Sequence, residues 1–295
     1  MSGLLRQLLN PCRKGRCHLS RPDTFSSDTF SLAERLITSV IFIPILFLAV
    51  HFGGASFFLM VAGTAIIGLI EFYDLQRYRS NPQYETGIVV SLILCISAFR
   101  RIYSPISILV FLIFLSLIIE LFKKSFSKKI ERHSVVNNVA ATIFGVLYVT
   151  FLLSHLFFLR ERGLRFIYLL FFGTWCADSA AYFVGKKWGR HKLIPKISMH
   201  KSIEGAIGGI SAGLLVFLIA RFWIFDFSLE TSLLLGILIG IFAQAGDLVE
   251  SLLKRDVETK DSGDFIPGHG GLLDRFDSLL FTAPFFYYFL SIYSL

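Results

Sequence analysis

The sequence predicts an all-α fold, a polytopic integral membrane bundle of about nine transmembrane helices. Of its 295 residues, 54% are hydrophobic and 17% are charged, whereas a soluble domain has roughly 45 to 50% apolar and about 25% charged residues. The apolar residues are gathered into blocks close to the ~20 residues that a bilayer-spanning helix needs. The Lys and Arg residues concentrate in alternate loops between these blocks. These observations exclude a soluble globular protein, and the four scattered cysteines exclude a disulfide scaffold.

Nine apolar blocks are bounded by charged residues, Gly or Pro, and each predicts one helix. The third block is short, so its helix has the weakest prediction. The blocks cover residues 36–51, 55–73, 87–99, 105–122, 135–159, 166–185, 204–225, 231–253 and 275–294.

The basic residues predict the orientation of these helices. Short cytoplasmic loops of membrane proteins carry an excess of Lys and Arg. With the N-terminus in the cytoplasm, all but six of the 29 basic residues fall on the inner face. The six on the outer face are Arg100, Arg101, Arg160, Arg162, Arg165 and Arg221. The net charge of +8 is therefore explained by membrane topology, and no nucleic-acid partner is expected.

The chain divides into three regions. Residues 1–35 form a basic segment, interpreted as a cytoplasmic tail, with a cleaved or organellar presequence left open. Residues 36–159 predict a transmembrane scaffold of about five helices. Residues 160–295 predict a catalytic region of about four helices with two cytoplasmic loops, 186–203 and 254–274. Within it, small-residue steps predict close helix packing; they are Gly205, Gly209, Gly213, Gly236 and Gly240.

A polar stripe in the eighth block is the first candidate site. Gln244, Asp247, Ser251 and Lys254 follow one another at helical spacing, with Glu250 beside them. An acidic residue inside a membrane span is costly and normally faces a polar cavity. The alternative is an interhelical hydrogen-bond seam.

The segment after this block carries charges and then glycines. Positions 254–264 contain three cations and four carboxylates, and three glycines surround His269 in 268–271. Glycine lets the backbone approach a ligand, and its N–H groups can bind phosphate oxygens. His269 is interpreted either as a substrate contact or as a loop-stabilising hydrogen bond.

Asp274 and Asp277 follow at i and i+3 on the opening turn of the last helix. Carboxylates there suit Mg²⁺, which binds through one or two carboxylates and substrate phosphates. For Asp277 a charge at a helix N-terminus is the alternative.

Residues 251–277, SLLKRDVETKDSGDFIPGHGGLLDRFD, resemble the signature of the phosphatidate cytidylyltransferases, also called CDP-diacylglycerol synthases. A second stretch, from Asp178 to Gly205, resembles the other polar region of that family. Two departures occur there, Met199 where the family usually has Pro and Ser202 where Thr is common. They put the backbone of that loop in question. The resemblance is strong over residues 170–290.

The resemblance implies transfer of a cytidylyl group from CTP to phosphatidic acid, giving CDP-diacylglycerol and pyrophosphate with Mg²⁺ as cofactor. It places the protein in a bacterial inner membrane, with the lipid bilayer, CTP and phosphatidic acid as partners, the active site facing the cytoplasm, and a homodimer left open. The metal is assigned to Asp247 and Asp274, which with Lys254 are the expected catalytic residues. The expected substrate-binding residues are Arg255, Lys260, Asp261, His269, Gly270, Gly271, Arg275, Asp277, Ser251, Asp178, Ser198 and Lys201.

Some of these assignments have alternatives. Asp178 is a third metal candidate or a buried partner of Tyr182 or Lys254. Lys186, Lys187, Lys192 and Lys201 either attract CTP or the lipid headgroup, or reflect only the charge bias of cytoplasmic loops.

Two other functions fit a multi-span chain with intramembrane acids. A transporter or channel places charged residues along an ion pathway, but here the polar residues cluster at one end. A CTP-dependent lipid-alcohol kinase would need a base for a neutral hydroxyl group, and the complete signature argues against it.

Overall fold

The structure is a computed structural model that describes residues 43–126, 134–259 and 271–293. This part of the chain folds into nine helices and one short hairpin. The helices are α1 Ile43–Phe52, α2 Gly54–Gln76, α3 Tyr84–Arg100, α4 Pro105–Phe126, α5 Val135–Arg162, α6 Leu164–Trp188, α7 Ile203–Trp223, α8 Leu229–Asp256 and α9 Leu273–Ile292. α5 is continuous but contains a π-helical turn at Val146–Phe151.

Six of the described helices are long and apolar enough to cross a membrane, namely α2, α4, α5, α6, α7 and α8. Large apolar side chains face outward, as on α4, where Phe111, Phe114 and Leu121 are more than half exposed. Such a surface suits lipid, because in water it would be an aggregation hazard. The prediction of a helical membrane bundle is confirmed.

Contacts between helix termini define the two ends of the bundle. At one end, Arg79 after α2 pairs with Asp256 at the end of α8, at 3.5 Å. At the other end, Arg160 near the end of α5 donates to the Val50 carbonyl of α1 at 3.2 Å. Arg165 at the start of α6 donates to the Ile224 carbonyl after α7, also at 3.2 Å. We call the end with the Arg79–Asp256 pair the site end, and the end with the Arg160 and Arg165 contacts the opposite end.

Glycines allow α7 to pack closely against both α6 and α8. A Cβ added to Gly209 would lie 2.9 Å from the Ala177 carbonyl oxygen of α6, and one added to Gly213 would lie 2.8 Å from the Gly236 carbonyl oxygen of α8. Neither position has room for a side chain. The prediction that these glycines serve helix packing is confirmed.

A β-hairpin between α6 and α7 departs from the predicted all-α class. β1, Lys192–Ile194, pairs antiparallel with β2, Ser198–Ser202. Ser202 then begins α7, its side chain accepting the Gly205 N–H at 3.1 Å. Ser and Thr both suit such a cap, so Ser202 preserves this local geometry. Met199 lies in β2 with its side chain exposed.

Candidate active site

A cavity of about 600 Å³ opens at the site end, between α6, the hairpin, α7 and α8. Ligand pockets typically enclose about 300 to 1,000 Å³. The predicted site residues that line it are Asp178, Lys186, Lys192, Ser198, Lys201, Asp247 and Ser251. Gln244 lines it as well and is anchored by donating to the Ala206 carbonyl at 3.0 Å. The sequence therefore predicted most of the polar wall of this cavity.

Asp247 and Lys201 form an ion pair across the cavity wall. The Lys201 Nζ of β2 lies 2.7 Å from Asp247 Oδ2 of α8. The Asp247 side chain is 42% exposed, and the Lys201 side chain is 22% exposed. The Asp247 side chain thus remains accessible to a ligand in the cavity, whereas the Lys201 Nζ atom itself is buried.

Lys254 links α8 to α9. Its Nζ donates to Asp274 Oδ1 at 3.0 Å and lies 3.6 Å from Glu250 Oε1, and its side chain is only 16% exposed. Lys254 follows Asp247 by seven positions, so both lie on one helix face, roughly 10 Å apart along the axis. Asp247 and Asp274 therefore belong to the same end of the bundle, as predicted.

Asp277 lies deeper between the helices. The backbone N–H of Ser278 donates to Asp277 Oδ1 at 2.6 Å, and the carboxylate interacts electrostatically with Asp247 and Lys254. Because α9 begins at Leu273, the acidic residue of its first turn is Asp274. Asp277 is thus a half-buried member of the site and not a charge at the helix terminus.

Asp178 connects α6 to the same group. Its side chain is hydrogen-bonded to Ser278 and interacts electrostatically with Asp277, Asp247 and Lys201. We use the name acidic cluster for Asp178, Asp247, Glu250, Asp274 and Asp277. Lys201 and Lys254 are the cations that the structure shows paired with it.

The acidic cluster is compatible with a divalent cation that brings its own phosphate ligands. Among the described residues, no three His, Cys, Asp or Glu side chains are placed to hold a metal ion by themselves. Mg²⁺ does not need such a cage, since it binds through one or two carboxylates, waters and substrate phosphates. Asp247 meets this requirement because its carboxylate faces the cavity.

The remaining predicted residues lie around this centre or outside the described part. Arg255 donates to the Ile197 carbonyl of the hairpin turn at 3.3 Å. Arg275 is exposed on α9, and Gly271 is buried just before it. Lys187 lies over the Trp188 ring. Four predicted residues, Lys260, Asp261, His269 and Gly270, lie outside the described residues, as do residues 1–35.

Two acidic residues near the site were not among the predicted site residues. Glu250 was noted beside the polar stripe, and in the structure it is fully buried. Glu71 of α2 was assigned to the scaffold, yet its carboxylate accepts the backbone N–H groups of Leu272 and Leu273, both at 2.8 Å. A signal for Glu71 was present, because it is an acid within an otherwise apolar block.

Comparison with known proteins places the chain in a family. A family model described as "Cytidylyltransferase family" matches residues 33–293. A phosphatidate cytidylyltransferase of Staphylococcus haemolyticus is 36% identical over 253 residues, covering 84% of this chain and 94% of the relative. One from Bacillus subtilis is 46% identical over 140 residues, covering 46% of this chain and 51% of the relative. One from Staphylococcus aureus is 44% identical over 149 residues, covering 50% of this chain and 57% of the relative. The chain belongs to the cytidylyltransferase family.

Proposed function

We propose that this protein transfers the cytidylyl group of CTP to phosphatidic acid, giving CDP-diacylglycerol and pyrophosphate for phospholipid synthesis. The observation that carries the proposal is the acidic cluster, two of whose members, Asp178 and Asp247, line a lysine-lined cavity at one end of a membrane bundle. Its setting in a chain of the cytidylyltransferase family, with relatives named phosphatidate cytidylyltransferase, supports the same reaction.

The substrates explain the charges of the site. A phosphomonoester has its second pKa near 6, so the phosphate of phosphatidic acid is largely dianionic at neutral pH. It attacks without a general base, and the main task is to bring two polyanions together. Lys186, Lys192 and Lys201 line the cavity and would contact the triphosphate or the lipid phosphate.

The reaction is an in-line displacement at the α-phosphorus of CTP. A phosphatidate oxygen forms the new P–O bond, and the bond to the departing pyrophosphate breaks. Positioning and charge neutralisation supply most of the rate in such transfers. Lys254 would fix the first turn of α9 by its contact with Asp274, and Arg255 would hold the hairpin against α8.

We propose Mg²⁺ as the cofactor, held by Asp247 and Asp274 together with substrate phosphates. Such an ion neutralises phosphate charge and stabilises a leaving pyrophosphate. The carboxylates of Asp178 and Asp277 would complete the negative environment around it.

The labelled phosphate of CTP tests this function directly. Membranes containing the protein are incubated with phosphatidic acid and CTP labelled at either the α- or the γ-phosphate. Label in the lipid fraction from α-labelled CTP supports cytidylyl transfer. Label from γ-labelled CTP indicates a lipid kinase, and no label in lipid from either contradicts both enzymes and favours a transporter. Membranes without the protein are the control.

We further propose that all nine helices cross a bacterial inner membrane and that the site end faces the cytoplasm, where CTP is present. Single cysteines replacing Lys196 of the hairpin and Asp226 of the opposite end, in a chain without its four native cysteines, test this orientation. An impermeant thiol reagent added to intact cells should label only the cysteine at position 226. A homodimer stays a prediction that cross-linking in membranes would test.

A further inference from the structure

α9, which carries Asp274 and Asp277, has no side-chain cap of its own. It begins at Leu273, and Leu272 at its N-cap makes no side-chain capping hydrogen bond. The first N–H groups of a helix have no partner within the helix, and when buried they need one from elsewhere. Leu272 and Leu273 are both buried.

Glu71 supplies the missing cap from the other half of the chain. Its Oε1 accepts the Leu272 N–H and its Oε2 accepts the Leu273 N–H, each at 2.8 Å. Glu71 is only 5% exposed. Hydrogen bonds to an ionised carboxylate are about twice as strong as neutral ones, and a negative charge is favourable at a helix N-terminus.

These contacts lie directly beside the acidic cluster. Leu273 is adjacent to Asp274 in the sequence, and Glu71 also interacts electrostatically with the Asp274 carboxylate. The Leu273 side chain lies close to Gly68 of α2, where an added Cβ would be 3.6 Å from Leu273 Cδ1. Arg79, beyond the end of α2, pairs with Asp256 of α8. α2 is therefore joined to α8 and α9, which carry four of the five carboxylates of the acidic cluster.

We infer that Glu71 is a positioning residue for the reaction: by binding two backbone N–H groups it fixes the first turn of α9, and with it Asp274 and Asp277, against α8. The inference rests on the proposed function. It also gives the first half of the bundle a part in the site.

The test compares Glu71→Gln with the wild type in the α-label assay. Gln keeps the size of the side chain but places an amide N–H group against one backbone N–H, so one of the two hydrogen bonds is lost along with the charge. We expect kcat to fall about 10- to 100-fold, the range found when residues that orient metal ligands are replaced. We also expect the KM for CTP to rise, because Asp274 would be misplaced.

Two matched controls separate positioning from general destabilisation. Glu120→Gln removes another buried carboxylate of the first half, which is 1% exposed and hydrogen-bonded to Gln83 and Asn138. Asp74→Asn removes a charge one turn from Glu71 that pairs with Arg77. If a variant only loses folded protein, the apparent kcat per total protein falls and KM does not change. Both controls should therefore keep the wild-type KM.

Hydrogen–deuterium exchange gives a readout that does not depend on turnover. The amides of Leu272 and Leu273 should exchange faster in Glu71→Gln than in Glu120→Gln. If Glu71→Gln does not fold, Glu71→Asp decides. It keeps the charge but shortens the side chain by one methylene, so it should raise the KM for CTP and speed exchange at the same two amides.

The outcomes are distinct. Wild-type protein that incorporates no α-label refutes the proposed function itself. An active wild type with Glu71→Gln matching Glu120→Gln in KM and in exchange at 272–273 overturns the inference. If Glu71→Gln cannot be obtained, a folded Glu71→Asp protein with wild-type kinetics also overturns the inference.

Discussion

Two buried polar groups lie at the site end, and they differ in how their charges are balanced. In the first half of the chain, Glu120 accepts hydrogen bonds from Gln83 Nε2 at 3.1 Å and Asn138 Nδ2 at 3.3 Å. We call these three residues the Glu120 network. It contains one carboxylate, with neutral amide donors and Lys123 at 3.8 Å.

The acidic cluster in the second half brings together five carboxylates, and the described residues supply two paired cations, Lys201 and Lys254. Buried charge is costly unless it is paired. Two members of the cluster, Asp178 and Asp247, line a cavity, whereas none of the three residues of the Glu120 network lines it. The acidic cluster therefore differs from the Glu120 network in its excess of negative charge and in its position beside a cavity.

The largest effect should come from replacing Asp274 with Ala. This removes a proposed metal ligand and leaves Lys254 without its closest acidic partner at 3.0 Å. Several kcal/mol of charge stabilisation would be lost, so activity should fall by roughly a factor of 1,000. The α-label assay measures the activity, and the amount of protein in washed membranes measures insertion.

Asp226→Ala is the matched control, since it makes the same substitution at the opposite end and should leave activity unchanged. Near-normal turnover of Asp274→Ala would remove Asp274 from the metal site. The contrast between the acidic cluster and the Glu120 network would then no longer include Asp274 as a metal ligand.

A smaller effect is expected from Lys201→Met, which keeps the aliphatic stem and removes the charge facing Asp247. Hydrogen bonds to charged groups contribute about 1.5 to 3 kcal/mol, and 1.4 kcal/mol is a factor of ten. The KM for CTP should thus rise roughly 10- to 100-fold. Lys196→Met is the control, because Lys196 is exposed in the same hairpin and does not line the cavity. Equal KM values for the two variants would contradict a role for Lys201 in the cavity.

The sequence predicted the helices well because lipid demands long apolar blocks, and each of the nine blocks corresponds to a described helix. It did not predict the hairpin at 192–202, since its strands have only three and five residues and lack the alternation that marks a strand. The polar stripe of α8 was also predicted. However, the partners of its members come from distant helices: Gln244 contacts α7, Asp247 contacts β2 and Lys254 contacts α9.

Glu71 shows a second kind of contact that the sequence pattern does not predict. Its spacing and surroundings indicate an acid in an apolar helix, which is a signal for a site. Its partners are backbone N–H groups 201 and 202 positions away, and backbone groups leave no trace in side-chain patterns. Only the packing of α2 against α9 reveals the contact.

Gly246→Ala should have a moderate effect on stability. A Cβ at this position would collide with the carbonyl oxygen of Asp277 and would lie 3.0 Å from the Ser278 Cα. Overpacking of this kind costs about 1 to 3 kcal/mol. It would also separate α8 from α9 beside Asp247, so we expect lower thermal stability in detergent together with a lower kcat.

Gly63→Ala on α2 is the control for Gly246→Ala, because nothing lies within 4 Å of a Cβ added there. Alanine is about 1 kcal/mol more favourable than glycine inside a helix, so this variant should be neutral or slightly more stable. A Gly246→Ala protein that matches it in stability and kcat would show that α8 and α9 can separate without consequence.

The smallest effect should come from Tyr73→Phe, in the polar contacts beside the Glu120 network. The Tyr73 hydroxyl donates to the Thr142 carbonyl at 2.8 Å. That carbonyl also accepts the Val146 N–H, so it keeps one donor after the substitution. We therefore expect a loss of about 1 kcal/mol in the free energy of unfolding, measured in detergent, with kcat and KM unchanged.

Tyr148→Phe makes the same chemical change at a buried hydroxyl that has no hydrogen-bond partner within the described residues. Removing an unpaired polar group from the interior is neutral or stabilising, so this variant should not lose stability. Equal losses in the two variants would mean that the Tyr73 hydrogen bond contributes nothing. An altered KM for CTP in Tyr73→Phe would instead mean that the first half of the bundle reaches the cavity by a route other than Glu71.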